Sequence, residues 1–180
     1  MYSEKDRRVI KTKKSIQSTL VSMMKERSYQ DISVSNLCRN ADIGRGTFYL
    51  HYNDIYEVIQ ELEDGILESF KDLVFLYFED ENPQGMETLI TKCLSWIQTN
   101  PDMFQVFLMP ANYNFAERFE NYAIDLFYFH HLKYHPSQSS AERRYTISRD
   151  FYGILGTTRS WFKEGMPISP ETMSKLLVEN

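Results

Sequence analysis

The sequence predicts an all-α fold: an N-terminal three-helix unit followed by a larger helical body. Three observations carry this. Apolar residues recur three, four and seven positions apart through most of the chain, the spacing of one helix face. Gly (7) and Pro (6) are too sparse in 180 residues for a turn-rich sandwich or barrel. Aromatics at 14% within a hydrophobic content of 42% supply the large side chains that pack long helices around a core.

The first helix is predicted from Ile10, Ile16, Leu20, Met23 and Met24, with Lys11, Lys13, Lys14, Lys25 and Glu26 mostly elsewhere, and it should end near Ser28. Ser33 can cap a short helix whose inward face is Val34, Leu37, Cys38 and Ala41. Asp42-Ile43-Gly44 interrupts the pattern, and Arg45 to Leu50 resumes as a second short helix with Phe48 turned to the core. A helix, a tight turn and a helix present the second helix as a projecting rod. A long helix then runs from Asp54 to about Glu79, and residues 1–53 and 54–180 are read as two domains. Further helices are expected over Met86–Thr99, Pro101–Met109, Phe115–Tyr134 and Ala141–Glu164. Gly165 and Pro167 end the last of these, and Ser169-Pro170-Glu171 caps a final short helix.

The net charge of -5 conceals an asymmetry. Residues 1–53 hold ten Lys or Arg against five Asp or Glu, whereas residues 54–180 hold ten against twenty. A basic head on an acidic body suits one module that touches phosphate and another that must not; a chance cluster of solvated lysines would look the same by charge alone. Cys38 and Cys93 make neither a metal motif nor a disulfide framework, which fits a reducing cytoplasm. Neither a signal peptide nor a membrane span is expected. His131 and His135 share a helix face, but no acidic residue lies at a matching offset and Pro136 ends the helix, so no metal or other cofactor is expected. HExxH, GxSxG and a Gly-rich phosphate loop are all missing from the sequence, so no enzyme is expected.

Residues Ile32 to Tyr52 read ISVSNLCRNADIGRGTFYLHY. This segment resembles the helix-turn-helix of the tetracycline-repressor (TetR) family, most diagnostically in Gly46-Thr47-Phe48-Tyr49 followed by His51 and Tyr52. Lys13 to Tyr29 resembles that family's first helix, and the remainder is similar in layout. The stretch from Gly153 to Pro167 is similar to a subgroup that includes regulators related to the dihydroxyacetone-kinase activator.

The resemblance implies that the helix at 44–50 enters the major groove of double-stranded DNA. Arg45 is then the first choice for a bidentate contact to guanine O6 and N7, with a phosphate contact as its alternative. Gly44 starts the helix, Gly46 permits close approach, and Thr47 offers a hydroxyl to phosphate or a methyl to thymine. Tyr49 and His51 correspond to phosphate-clamping positions, and Ser33 and Ser35 can hold another phosphate. Asp42 stands where the family commonly has Gly, Gly44 where Ser or Thr commonly caps, and Asn53 where a basic residue is frequent. These departures leave open a relative that acts as a coactivator through a protein partner.

In the body, Tyr77, Phe104, Phe107, Tyr113, Tyr122 and Phe127 resemble the lining of an inducer cavity, which implies an apolar or aromatic small-molecule ligand. Packing of the core and the dimer seam would use the same residues. The stripe Phe151, Ile154, Leu155, Thr158, Trp161 and Phe162 is expected at a homodimer interface, with Gly153 and Gly156 near it to admit a partner helix. The implied protein is a cytoplasmic dimeric repressor, bound to a palindromic operator and released by a ligand.

Overall fold

Side-chain caps and left-handed turns divide the chain into helices in the computed structural model, which describes residues 4–79, 85–109, 115–134 and 139–179. Helix α1 (Glu4–Met24) buries Ile16, Leu20, Val21 and Met23. It stops at Met24 rather than near Ser28, because Ser28 instead caps a 3-10 turn, Tyr29–Asp31, by accepting the Gln30 amide at 3.4 Å. Ile10, predicted on the inner face, is half exposed because it precedes Ile16, where the core cluster begins.

Helix α2 (Val34–Asn40) starts as predicted, with the Ser33 hydroxyl accepting the Asn36 amide at 3.2 Å. It ends at Asp42, whose φ of 53° lies in the left-handed region. That conformation turns the Ile43 amide back to the Cys38 carbonyl at 3.0 Å, the closing bond of a Schellman motif. Gly44 then enters helix α3 (Arg45–Tyr49) in an extended conformation and has no side chain with which to cap it.

Helix α4 (Ile55–Glu79) has reciprocal start signals: Asp54 accepts the Glu57 amide at 2.9 Å, and Glu57 accepts the Asn53 amide at 2.7 Å. Ile55, Val58 and Ile59 are buried with the core of the head, and Ile66 and Val74 are buried farther along. Helix α5 (Gly85–Thr99) lies between α4 and helix α9 (Pro170–Val178), where the Thr91 and Ser174 hydroxyls meet at 2.7 Å.

Helix α6 departs from the regular helix predicted over 101–109. Its first turn, Pro101–Met103, is α-helical, but Phe104–Leu108 form a π-helical turn closed by Met109 N–H to Phe104 O at 3.1 Å. The next residue in the sequence is Pro110, which has no N–H to donate. Helix α7 (Phe115–Tyr134) packs along helix α8 (Ser140–Lys163), which opens with a Ser139–Glu142 capping box. Among the described residues the secondary structure is helical throughout, and no helix is long and apolar enough to cross a membrane.

Asp42 gives a direct test of the α2–α3 turn. Asp42→Gly should leave stability unchanged or raise it by up to about 1 kcal/mol, whereas Asp42→Val should lower it by about 1–2 kcal/mol through left-handed strain. Urea midpoints of the full chain measure both.

Candidate DNA-binding face and ligand cavity

Burial of Phe48 sets the rotation of α3. Its ring is fully buried, lies edge-on to Tyr49 with centroids 5.5 Å apart, and stands 5.8 Å from Tyr52. Ile16, Leu20, Leu37 and Cys38 share that core cluster. With Phe48 inward, Arg45, Gly46, Tyr49 and Leu50 are exposed, while Thr47 and His51 are half-buried at the edge. A Cβ at Gly46 would meet nothing within 4 Å. Ser33 and Ser35 are exposed at the start of α2. The Ser33 hydroxyl accepts the capping bond and keeps its own O–H available to donate.

The eight candidate contact residues therefore lie on the α2–α3 motif, and α3 presents an outward face. Arg45 has no ion-pair partner among the described residues, in contrast to two other cations of the head. Lys13 meets Glu61 of α4 at 2.7 Å, and Lys25 meets Asp102 of α6 at 2.6 Å. These two charges tie the head to the body. Asn53 is likewise engaged, donating both its amide and its Nδ2 to Glu57.

Tyr52 joins the head to α4. It is buried, accepts a hydrogen bond from Gln17 at 3.2 Å, and lies beneath the Lys13 ammonium, 5.0 Å from the ring centroid. Burial, and next the nearby Glu61 carboxylate, push its phenol above the ordinary range, so it stays protonated.

The body holds a partly open apolar cavity of about 130 Å³ between α4, α5, α6, α7 and α8. Of the six aromatics singled out in the sequence, Phe104 and Phe127 line it. Phe107 is buried but packs edge-on against Phe115, with centroids 5.7 Å apart, and Tyr122 is half-buried away from the lining. Tyr113 and the side chain of Tyr77 lie outside the described residues, as do His135 and the side chains of His130 and His131.

The stripe expected at the dimer seam turns inward instead. Phe151, Ile154, Leu155 and Thr158 line the cavity, Trp161 is buried with its indole N–H bonded to Ile168 O at 2.9 Å, and the Phe162 ring lies tilted against Phe104 with centroids 4.9 Å apart. Within the protomer Leu155, Thr158 and Trp161 are buried, while Phe151, Ile154 and Phe162 are half-buried. The opposite face of α8 carries Tyr145, Arg149, Tyr152, Gly153, Gly156 and Ser160, all exposed.

Sequence reasoning missed the α4 and α5 walls of the cavity, including Ile66, Phe70, Leu89 and Trp96. Their helical spacing was legible, but spacing names a buried face without telling a packed wall from one that borders a void. Cys93 also lines the cavity, and burial pushes its thiol up to about 12, leaving a neutral S–H there.

Arg159 holds the π turn in place. Its Nε and Nη2 donate to the Leu108 carbonyl at 3.0 and 2.7 Å, and Nη2 meets Glu120 of α7 at 2.8 Å. Arg159→Ala should lower stability by about 2–3 kcal/mol, because it removes charge-assisted bonds and leaves the Glu120 carboxylate unpaired. Adding Glu120→Gln should recover part of that loss in denaturant titrations.

Comparison with known proteins agrees with this architecture. Residues 84–180, more than half of the chain, match the TetR_C_8 family, described as transcriptional regulator C-terminal region. The HTH-type transcriptional regulator YxbF of Bacillus subtilis (strain 168), itself uncharacterized, is 22% identical over 176 residues, 91% of this chain and 43% of that protein. The chain thus spans less than half the length of this curated relative. A TetR transcriptional regulator from Streptococcus agalactiae shares the fold with a TM-score of 0.65 at 21% identity, covering 97% of this chain and 96% of that one. The dihydroxyacetone kinase operon activator DhaS shares it with a TM-score of 0.55 at 20% identity, covering 94% and 93%. With its helix-turn-helix head, its all-helical body and the family match over residues 84–180, the chain belongs to the TetR family of transcriptional regulators.

Proposed function

We propose that this regulator binds double-stranded DNA as a homodimer, with one α3 in the major groove of each half of a palindromic operator, and represses until a small ligand releases it. The observation that supports this reading most strongly is the outward face of α3, where an exposed Arg45 without an ion-pair partner among the described residues stands beside a bare Gly46. Arg45 reads a base edge, Thr47 contacts a thymine methyl or a phosphate, and Tyr49, His51, Ser33 and Ser35 hold the backbone. Residues 1–53 act as the DNA-binding domain and 54–180 as the regulatory domain, with the Asn53–Glu57 cap at the boundary.

Dimerisation uses the outer face of α8. Gly153 and Gly156 are open there, with nothing within 4 Å of a built Cβ, so a symmetry-related helix can approach closely. Two recognition helices must then lie roughly 34–36 Å apart to reach successive major grooves.

The ligand is a small apolar or aromatic molecule held in the body cavity. Phe104 lines that cavity and belongs to the same short helix as Asp102, which grips Lys25 just beyond the end of α1. A ligand that displaces Phe104 moves α6 and, through it, the head. It releases DNA only if it fits the released arrangement better than the DNA-matched one, since only differential affinity shifts a population.

Selection of bound duplexes from a random library, at low and moderate salt, tests the DNA reading. An enriched palindrome is expected, with base preference relaxed by Arg45→Ala and affinity lowered across all sequences by Tyr49→Phe. No enrichment, or only binding that salt erases, would favour a coactivator that works through a protein partner. For the dimer, Gly153→Arg and Gly156→Arg should shift sedimentation toward monomer while circular dichroism keeps the wild-type helix content, since both sites are exposed.

A further inference from the structure

Leu50 is the most exposed large apolar side chain among the described residues, at 80%, and it sits at the C-terminal cap of α3. Its amide donates to Gly46 O at 3.2 Å, which holds it on the last turn of that helix. At 3.6 residues per turn, Leu50 falls nearly opposite the buried Phe48 and one turn beyond Gly46. It therefore occupies the middle of the outward face, with Arg45 and Tyr49 on one side and Thr47 and His51 on the other. Gly46 projects no side chain, so Leu50 is the apolar group that reaches farthest from this face.

Phosphates offer an isobutyl group nothing, in contrast to what they offer Arg45, Tyr49 or His51. In the major groove one base edge carries an apolar group, the 5-methyl of thymine. We propose that Leu50 is a specificity-determining residue that reads a thymine in each half-site through that methyl group. This rests on the reading that α3 enters the major groove.

The test uses the full-length chain and the duplex enriched from the random library. Thymines are replaced one at a time by deoxyuridine, which lacks only the methyl group, and affinity is measured by fluorescence anisotropy for wild type, Leu50→Ala and Arg45→Ala. Wild type is expected to weaken about fourfold at one thymine per half-site, the worth of one buried methyl-sized group. Leu50→Ala should be insensitive at that thymine, with an unchanged unfolding midpoint, while Arg45→Ala keeps the sensitivity. Equal sensitivity in wild type and Leu50→Ala, or sensitivity at no thymine, overturns the role of Leu50 and leaves the DNA-binding reading intact. If no duplex is enriched, the DNA-binding reading itself fails and the role of Leu50 falls with it.

Discussion

Everything the head offers to solution depends on the burial of Phe48. Helix α3 has only five residues, too few for a helix to persist alone in water. Its stability and its rotation both come from one ring inserted into the cluster of Ile16, Leu20, Leu37 and Tyr52. Once that ring is inside, helical geometry leaves no choice about the rest: Gly46 and Leu50 face outward and Arg45, Thr47, Tyr49 and His51 flank them. The Schellman turn at Asp42 serves the same end, because it brings the chain from α2 into α3 within the four residues from Ala41 to Gly44.

The charge asymmetry between head and body has a second meaning in three dimensions. Two of the ten cations of the head are engaged within the protomer. Lys13 and Lys25 are satisfied by Glu61 and Asp102 of the body, and Lys13 also covers the Tyr52 ring. Exposed pairs of this kind contribute about 0–1 kcal/mol each, so their value lies in orientation more than in stability. They join α1 to α4 and to α6, the two helices whose Ile66 and Phe104 also face the cavity. The acidic body thus contributes two of the carboxylates that hold the head.

The cavity and the π turn belong together. The widened turn at Phe104–Leu108 buries Phe104, Phe107 and Leu108 and leaves the Leu108 carbonyl where Arg159 reaches it from α8. Arg159 also grips Glu120, so one guanidinium joins α6, α7 and α8 around the void. The pocket of about 130 Å³ that they border has walls made mostly of Leu, Ile and Phe, so its surface is apolar.

The sequence by itself determined the class of fold, the helix boundaries that rest on caps, and the family. Ser33, Ser169 and Asp54 work through atoms three residues away, so their meaning is local and readable. Phe48 was equally legible, because a short amphipathic helix has one place to put its single large apolar residue. Helix α8 was different. Its apolar stripe, Phe151, Ile154, Leu155, Thr158, Trp161 and Phe162, was visible as a stripe, yet periodicity reports that a face is buried and not which neighbour buries it. Only the tertiary structure decided that α8 turns those residues into its own protomer and leaves Gly153 and Gly156 outside. The same limit applies to the cavity, whose walls come from five helices far apart in sequence, and to the π turn, whose end carbonyl is met by an arginine 51 residues away. Contacts made across such distances are set by the packing of whole helices, a property that no local pattern encodes.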